Sequence, residues 1–313
     1  MFAGAMLVAM GIEAAFGWPD ALYRRIGHPV TWMGRLIGWA DQTFNKATDA
    51  ESTRRLRGLG VALGIAGASY ALAALLVGLL PGGWVGVVLT GLLGWPLVAT
   101  RSLHDHVLKV AQPLAAGDLA GARKAVSMIV GRDPETLDQA GVARAALESL
   151  AESTSDGVVA PLFWGLLLGL PGMAAYKAIN TMDSMIGHLS PKYAAFGWAA
   201  ARIDDGVNLI PARLSGLLFV ALAGRDWRRA WRVMLSDAGH HRSPNAGWPE
   251  AALAGALNIR LSGPRVYDGE VTAEPWVNGA APDPGAQDLA RGLAFYRQAM
   301  VVLAGGLALL MAF

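Results

Sequence analysis

Three carboxylates recur at four-residue intervals in the segment ESLAESTSDGVVAPLFWG (148–165). A helix would place Glu148, Glu152 and Asp156 on one stripe, because residues four apart lie on the same face. Like charges at this spacing repel each other by about a few tenths of a kcal/mol per pair, so the stripe needs an explanation. Binding of a Mg²⁺ ion that carries a phosphate ligand is one explanation, and a solvated acidic face near a helix end is the other.

The segment YKAINTMDSMIGH combines a cation, an amide, a hydroxyl and a carboxylate. Helical spacing places Lys177, Asn180 and Ser184 on one face, with Asp183 beside them. The ammonium group of a lysine suits phosphate, and the oxygens of Asn and Asp can complete the ligand shell of a metal ion. The alternative is a polar helix at the membrane surface whose lysine extends its charged end towards water.

A third polar cluster lies in the segment ARIDDGVNLIPARLSG. Asp204 and Asn208 are four residues apart, Asp205 is adjacent, and Arg213 follows inside an apolar run. An ionisable residue in such a run is costly in a membrane, so it is expected to have a function or a partner. Arg213 could therefore hold a phosphate or pair with Asp204 or Asp205.

A turn followed by a helix start is predicted within the segment HHRSPNAGWPEAALAGAL. Asn245 belongs to the turn, Pro249 suits the first position of the helix, and Glu250 suits its first turn. The adjacent His240 and His241 would point to different sides of a helix, so they are not expected to bind one metal ion.

The segment IVGRDPETL ends one predicted helix and begins another. Gly131 suits the position after a helix, and Asp133 followed by Pro134 suits the start of the next one. Arg132 and Asp133 could also reach a phosphate or a metal ion, so capping and ligand binding both stay open.

These polar clusters lie between long apolar runs. Hydrophobic residues make up 54% of the 313 residues, and charged residues make up 16%. Soluble domains have about 25% charged residues, so this composition indicates a membrane protein. A hydrocarbon core of about 30 Å needs roughly 20 apolar residues in a helix. The runs predicted to span are 1–17, 58–80, 84–100 and 298–313.

Two further apolar runs, 158–176 and 207–223, are shorter and interrupted. The first carries Pro161 and a Gly-Leu-Pro-Gly break at 169–172, and the second carries Pro211. Such runs can be re-entrant segments, buried helices or complete spans.

Basic residues predict the orientation of the chain. Segment 18–57 holds seven Lys or Arg, 101–157 holds six and 225–297 holds nine, whereas the turn 81–83 holds none. The positive-inside rule places these three segments in the cytoplasm and both termini outside. Residues 177–206 would lie outside if both short runs span, and on the cytoplasmic side if the runs form a re-entrant pair. We favour the second arrangement, because it brings these polar residues to the side of the others.

The sequence therefore predicts an all-α, polytopic integral membrane protein. We expect about four full transmembrane helices, two short or re-entrant apolar segments and amphipathic cytoplasmic helices, in a single membrane-embedded domain over residues 1–313. Apolar residues at three- and four-residue spacing predict such an amphipathic helix in 101–130, where Asp118 suits a helix start. The Gly- and Pro-rich segment 262–288 predicts a turn-rich loop or a short hairpin.

Composition and missing motifs exclude several classes of function. The formal net charge is +2 and the basic residues are scattered, so no nucleic-acid surface is expected. Without cysteine, the chain has no disulfide, thiolate metal site or cysteine nucleophile. The motifs GxxxxGK with Ser or Thr, GxGxxG after a strand, HExxH and GxSxG are absent, so a nucleotide must bind by a less common scheme.

The polar blocks, in their order, resemble the adenosylcobinamide-phosphate synthase family of cobalamin biosynthesis, often called CobD/CbiB. The blocks are ESLAESTSDGVVAPLFWGLLLGLPG, AYKAINTMDSMIGH, ARIDDGVNLIPARLSG and HRSPNAGWPEAALAGAL, and EAAFGWP with GHPVTWMGRLI resembles the family's opening. The resemblance runs from about residue 10 to 300. Trp18 stands where that family usually has Asp, and Ser153 stands where it usually has Asn. If the missing Asp were a metal ligand, Glu13 or Asp20 would have to replace it.

The resemblance implies an ATP-dependent acid–amine ligase in the inner or plasma membrane. It would join the carboxyl group of adenosylcobyric acid, a corrinoid, to the amine of (R)-1-amino-2-propanol or its O-phosphate. A carboxylate must be activated before an amine can displace oxygen from it, so an acyl phosphate formed with ATP and Mg²⁺ is expected. The lipid bilayer is an expected partner, nucleic acid is not, and a homo-oligomer is allowed.

Roles for individual residues follow from this resemblance together with the chemistry of the side chains. The predicted metal ligands are Glu148, Glu152, Asp156, Asp204 and Asp205. The predicted catalytic residues are Glu152, Asp156, Lys177 and Asp183. The residues predicted to bind substrate are Arg132, Asn180, Ser184, Asn208, Arg213, Asn245 and Glu250.

Two other classes of protein stay open. The resemblance extends more weakly to membrane proteins that act as sensors in β-lactam resistance signalling, which would not need the polar residues intact. A small-molecule transporter would show paired, interrupted spans in two similar halves. Two interrupted runs are present, but no repeated halves are visible and nearly all of the polar blocks are intact, which favours the enzyme.

Overall fold

The computed structural model describes residues 1–129, 135–267, 270–272 and 274–312, without the side chains of 265–267 and 270–272. Helices make up most of this described part of the chain. The helices are α1 (Phe2–Phe16), α2 (Asp20–Ile26), α3 (Pro29–Phe44), α4 (Glu51–Gly78), α5 (Gly83–Gly94), α6 (Thr100–Ala115), α7 (Leu119–Val126), α8 (Gln139–Thr154), α9 (Ala160–Ile186), α10 (Trp198–Val207), α11 (Leu209–Leu222), α12 (Trp227–Asp237), α13 (Gly247–Leu257) and α14 (Ala286–Leu310).

Two short antiparallel pairs of strands lie between α13 and α14. β1 (Leu261–Ser262) pairs with β4 (Trp276–Val277), and β2 (Arg265–Tyr267) pairs with β3 (Glu270–Thr272). The Gly- and Pro-rich segment therefore contains short hairpin strands, as its composition predicts.

Long apolar helices confirm the predicted fold class. Within the described residues, four helical stretches are long and apolar enough to cross a membrane, or up to six if each of two bent helix pairs is one span. The four are Glu51–Gly78, Gly83–Ala115, Gln139–Ile186 and Ala286–Leu310. The bent pairs are Phe2–Phe16 with Asp20–Phe44, and Trp198–Val207 with Leu209–Leu222. The chain is thus an all-α, multi-pass membrane protein.

The membrane segments differ from the prediction at two places. The first apolar run is a helix of 15 residues, which alone is too short to count as a span. It is long enough to cross a membrane only together with Asp20–Phe44, and the two parts are bent by 109° relative to each other. The run 158–176, by contrast, is part of the long stretch Gln139–Ile186. Its neighbours on the N-terminal side are too polar to count in an apolar run, yet their backbone is helical.

The interruption predicted at 169–172 is confirmed as a kink inside α9. Gly169 has φ 69° and ψ −163°, a backbone conformation that is essentially restricted to glycine. Pro171 follows, and a proline in a helix interior removes one backbone hydrogen bond. A Cβ atom at Gly169 would also lie 3.0 Å from Cε1 of Phe2, so the conformation requires glycine and the Phe2 ring would have to shift slightly for any larger residue.

The amphipathic helix predicted within 101–130 is present as α6 and α7. Leu103 and Val107 on its apolar face are buried. Asp118 caps α7, because its Oδ1 accepts a hydrogen bond from the N–H of Gly121 over 2.8 Å.

The chain divides into two compact units, each with its own helical core. The first unit is Met1–Ala99 with Ala160–Asn208 and Ala304–Phe313, and the second is Thr100–Val159 with Leu209–Leu303. In the first unit, α9 packs against α1, α3 and α4 around buried residues that include Met182 and Phe196. In the second unit, α13 packs against α8, α11 and α12. The single-domain organisation stays a prediction.

Candidate functional site

Polar residues of the first unit gather on α9 and around the C-terminal end of α10. We refer to them as the α9–α10 cluster, and its members are Tyr176, Lys177, Asn180, Asp183, Ser184, Asp204, Asp205 and Asn208. The three- and four-residue spacing of the α9 members places them on successive turns of one helix. All of the residues predicted for the second and third sequence blocks, apart from Arg213, belong to this cluster.

A chain of hydrogen bonds runs through the buried part of the α9–α10 cluster. The Tyr176 hydroxyl donates to Oδ1 of Asn208 over 2.9 Å, and Nδ2 of Asn208 donates to Oδ2 of Asp204 over 2.9 Å. All three side chains are buried. The Asp204 carboxylate is therefore held by an amide donor that is itself fixed, as in other satisfied buried networks.

Asp204 has further polar neighbours in the same cluster. Nδ2 of Asn180 lies 3.5 Å from Oδ1 of Asp204, and Nζ of Lys177 lies 3.4 Å from Oδ1 of Asn180, both near the long limit of a hydrogen bond. Asp183 lies close enough to Asp204 and Asp205 for their charges to interact. A cation bound among these carboxylates would relieve their mutual repulsion.

Two side chains of this cluster have local partners that do not require a ligand. The exposed Ser184 hydroxyl donates to the backbone oxygen of Asn180 over 2.9 Å, a common bond for serine in a helix. Asp205 forms an ion pair with Arg202 at 3.1 Å. The predicted roles of Ser184 in substrate binding and of Asp205 in metal binding stay predictions.

The predicted acidic stripe lies in the second unit, and its three carboxylates have different surroundings. Glu148 is buried and accepts a hydrogen bond from the backbone N–H of Ser262 over 2.8 Å, whereas Glu152 is exposed. Asp156 is half-buried on a π-helical turn, Ser155–Val159, that follows α8. A π turn is wider than an α turn, so Asp156 departs from the regular stripe that the spacing predicts.

The π-helical turn also contains a buried hydroxyl that the sequence analysis did not single out. Ser155 is almost completely buried, and its Oγ has no hydrogen-bond partner within the part of the chain that the structure describes. Most buried polar groups have a partner, and π turns are frequent at functional sites. Ser155 is therefore a candidate for contact with a ligand beside Asp156.

A second polar group in the second unit, the α11–α13 cluster, consists of Arg213, His241, Asn245, Trp248 and Glu250. Nη1 of Arg213 donates to the backbone oxygen of Leu209 over 2.7 Å and lies 3.3 Å from Oδ1 of Asn245. The guanidinium group also lies 4.5 Å from the centroid of the Trp248 ring, a favourable cation–π distance. These contacts fix a cation next to a buried amide, as an anion-binding site requires.

Glu250 lies in the first turn of α13, which begins at Gly247, slightly before the predicted start at Pro249. Its side chain is only 1% exposed, and Oε1 lies 3.7 Å from Nε2 of His241. Nδ1 of His241 accepts a hydrogen bond from the N–H of Ser243 over 3.0 Å. The proton of a neutral imidazole must then sit on Nε2, on the side of Glu250.

Arg132 lies outside the described residues, together with Gly131 and Asp133. Within the described ranges, no group of three or more His, Asp or Glu side chains is arranged so that it could hold a metal ion. Mg²⁺ is usually held by one or two carboxylates and completes its shell with phosphate oxygens and water. The Mg²⁺ site therefore stays a prediction.

Trp18, the departure from the resembled family, belongs to an aromatic cluster of the first unit. Its ring centroid lies 4.7 Å from that of His28 and 5.2 Å from that of Trp95. This cluster contributes to the wall of an apolar cavity of about 480 Å³. Of the two acids that could replace the missing Asp, Glu13 is buried and Asp20 is exposed.

Three members of the clusters, Tyr176, His241 and Trp248, were not predicted from the sequence. Tyr176 precedes Asn180 by four residues, and this spacing is the signal that could have identified it. The sequence suggests only metal binding as a question for His241. Its position next to Glu250 depends on the fold of the turn between α12 and α13, which the sequence pattern does not predict.

The described helices form a multi-pass membrane protein whose two units hold buried carboxylates and amides beside partly buried cations. A family model of CobD/Cbib proteins matches residues 6–296 of this chain. The chain belongs to the CobD/Cbib family.

Curated relatives agree with this assignment over nearly the full length of the chain. The cobalamin biosynthesis protein CobD of Rhodobacter capsulatus is 64% identical over 299 residues, covering 96% of this chain and 94% of the relative. The proteins of the same name from a Sinorhizobium species and from Brucella suis biovar 1 are 48% and 46% identical, each covering at least 93% of the relative and 95% of this chain. A role in cobalamin biosynthesis follows for this chain. No solved structure matches it.

Proposed function

We propose that this protein is an ATP-dependent ligase that joins the carboxyl group of adenosylcobyric acid to the amine of (R)-1-amino-2-propanol or its O-phosphate. Membership of the CobD/Cbib family supports the role in cobalamin biosynthesis. The observation that carries the ligase proposal is the buried hydrogen-bond chain from Tyr176 through Asn208 to Asp204, beside two further carboxylates. A fixed carboxylate group of this kind suits the handling of transferring phosphate with its metal ion.

The proposed reaction has two steps. A carboxylate oxygen of adenosylcobyric acid attacks the γ-phosphorus of ATP, which gives an acyl phosphate and ADP. The amine nitrogen then attacks the acyl carbon, the C–O bond to phosphate breaks, and the amide, inorganic phosphate and a proton are released. Such chemistry needs positioned substrates and charge stabilisation more than covalent help from the protein.

The α9–α10 cluster can supply one or two carboxylates to a Mg²⁺ ion that completes its shell with phosphate oxygens and water. Asp204, with either Asp183 or Asp205 beside it, would hold the ion, which would neutralise phosphate oxygens when bound. Asn208 and Asn180 orient the Asp204 carboxylate, and Lys177 would bind the transferring phosphate.

The second unit supplies the other proposed roles. In the α11–α13 cluster, Arg213 would bind a phosphate group, since stacking on Trp248 and contact with Asn245 hold its guanidinium in place. Asn245 and Glu250 would orient the polar edge of a substrate. On α8 and the π turn, the proposed metal ligands are Glu148, Glu152 and Asp156. Glu152 and Asp156 are also the proposed catalytic residues of this segment.

We place the polar loops on the cytoplasmic side, where ATP is available. Support comes from the loop 187–197, which is tied to the link between α3 and α4. Nζ of Lys192 donates to Oδ2 of Asp41 over 2.7 Å, and Nδ2 of Asn45 donates to the backbone oxygen of Lys192 over 3.2 Å. Arg54 donates to the same backbone oxygen. These contacts support the placement of the loop on the same side as the basic segment 18–57, which the positive-inside rule assigns to the cytoplasm.

The test is an assay on detergent-purified protein with adenosylcobyric acid, aminopropanol O-phosphate, Mg²⁺ and ATP. We expect mass spectrometry to detect the new amide only when ATP is present. Asp204→Asn should abolish it, whereas Asp226→Asn, which removes an exposed carboxylate paired with Arg229, should not. Absence of product with both the phosphorylated and the free amine, from protein shown to be folded, would reject the ligase in favour of a sensor or a transporter.

A further inference from the structure

Helix α12 presents two different apolar faces. On the inner face, Ala230, Val233 and Met234 are buried where α12 packs against α11 and α13 within the second unit. On the outer face, Trp227, Trp231 and Leu235 follow at four-residue spacing and are 48%, 40% and 55% exposed. The outer face is therefore a stripe of large apolar side chains that the described residues leave about half exposed.

Basic side chains flank this stripe. Arg225, Arg228 and Arg232 are exposed beside it, and the guanidinium group of Arg228 lies 5.5 Å from the centroid of the Trp227 ring. The acid next to the stripe, Asp226, pairs with Arg229 at 3.1 Å. The outer face thus combines aromatic rings with an excess of positive charge.

The position of α12 in the chain indicates what covers this face. α11 belongs to a bent helix pair that is long and apolar enough to cross a membrane, and its Ile210, Leu214 and Leu217 are exposed. One short turn, Gly224–Asp226, separates α11 from α12. A helix that follows a membrane segment so closely starts at the membrane surface, where tryptophan rings and arginines are favoured.

We propose that α12 lies in the headgroup layer of the bilayer, with Trp227, Trp231 and Leu235 inserted towards the acyl chains and Arg228 and Arg232 bound to anionic phospholipid headgroups. Arginine suits the phosphate groups of such lipids, and anionic lipids attract basic segments at the membrane surface. The same segment, 225–297, holds nine Lys or Arg, and the positive-inside rule assigns it to the cytoplasmic side, where anionic lipids are enriched. Charge complementarity and continuity with α11 favour lipid over a second protein as the occupant.

Lipid contact can be measured directly because the chain contains no cysteine. Leu235→Cys carries an environment-sensitive fluorophore, and single copies of the full-length protein are placed in nanodiscs of phosphatidylcholine with or without phosphatidylglycerol. Spin-labelled lipids should quench the fluorophore, and more strongly when the spin label is on phosphatidylglycerol than on phosphatidylcholine. Arg228→Gln and Arg232→Gln should each weaken this headgroup preference about fivefold, since one arginine at the surface contributes about that factor.

Arg242→Gln serves as the matched control, because Arg242 is exposed in the same unit, lies outside α12 and pairs with Glu274. The preference for phosphatidylglycerol should stay unchanged in this variant. Absence of quenching in both kinds of nanodisc, or a preference that Arg228→Gln and Arg232→Gln leave intact, would overturn the proposal. Shielding of the fluorophore only in nanodiscs that hold two copies would instead assign the face to a contact between copies.

Discussion

The side chain of Asp204 depends on two neighbours that never need to touch a substrate. Asn208 donates to its carboxylate, and the Tyr176 hydroxyl in turn fixes Asn208. Because all three side chains are buried, removal of one takes a hydrogen bond from a buried polar neighbour. The orientation of Asp204 thus depends on both hydrogen bonds, and single substitutions can measure the contribution of each one.

Asn208→Ala should destabilise the protein by about 1–3 kcal/mol, because it removes two buried hydrogen bonds, one with the Tyr176 hydroxyl and one with Asp204. If Asp204 acts in the proposed reaction, the same substitution should lower amide formation roughly 10- to 100-fold, as is usual for residues that orient metal ligands. Tyr176→Phe removes one hydroxyl only and should cost about 0.5–1.5 kcal/mol in stability. Thermal unfolding and turnover at saturating ATP are the measurements. Equal effects of both substitutions would contradict the prediction that Asn208 contributes more than the Tyr176 hydroxyl.

Asp283 makes the stability of the second unit depend on pH. A hydrogen bond from Arg260, and then contacts with Arg144, lower the pKa of Asp283 from 3.8 to about 2. Because the pKa is lower in the folded than in the unfolded state, the stabilisation is present above about pH 4 and disappears as the pH falls to about 2. The carboxylate is partly exposed, so the contribution is about 0–1 kcal/mol.

The gap in melting temperature between wild type and Asp283→Asn should therefore close as the pH is lowered from about 4 to about 2. Thermal unfolding in one detergent across this range is the measurement. A gap that does not change with pH would show that the two arginines stabilise the fold without the charge of Asp283.

At the scale of elements, the contact between α4 and the loop 187–197 requires one particular glycine. A Cβ atom at Gly58 would lie 1.9 Å from the backbone oxygen of Phe196, which is too close for any real contact. The loop would have to shift, and overpacking of this kind costs about 1–3 kcal/mol.

Gly58→Ala should therefore lower the thermal stability of the protein, whereas Gly60→Ala should not. Gly60 is exposed on the same helix, and among the described residues no packing neighbour lies within 4 Å of a Cβ atom placed there. Alanine at this position is expected to stabilise the helix by up to about 1 kcal/mol. Equal melting temperatures of the two variants would contradict the tight contact with Phe196.

Elements that are determined by residues close together in the sequence could be predicted. The apolar spacing and the Asp118 cap predict α6 and α7, and the glycine and proline at 169–172 predict the kink in α9. The length of the first membrane helix could not be predicted, because its sharp bend before α2 depends on packing. The π turn at Ser155–Val159 and the pairing of His241 with Glu250 depend in the same way on residues that are distant in sequence.

For the whole molecule, the orientation in the membrane is the feature that the proposed function needs most. α4 runs from the α3–α4 link to the turn after Gly78, so a spanning α4 separates these two ends by the full bilayer. Since the loop 187–197 is tied to the α3–α4 link, it shares the side of that link.

Single cysteines in this cysteine-free chain should confirm the orientation. In intact spheroplasts, a membrane-impermeant maleimide should label Gly82→Cys, and it should label Thr48→Cys and Leu189→Cys only after permeabilisation. Labelling of Leu189→Cys together with Gly82→Cys would contradict the cytoplasmic placement of the polar loop.

The central claim is that ATP activates the carboxyl group of the corrinoid for attack by the amine. The most direct measurement follows ¹⁸O from the carboxylate of labelled adenosylcobyric acid during turnover by the purified protein with ATP, Mg²⁺ and aminopropanol O-phosphate. The account predicts ADP as the nucleotide product and one ¹⁸O atom in the inorganic phosphate for each amide formed. Appearance of the label in AMP would contradict the acyl phosphate, and absence of amide from folded protein would contradict the ligase itself.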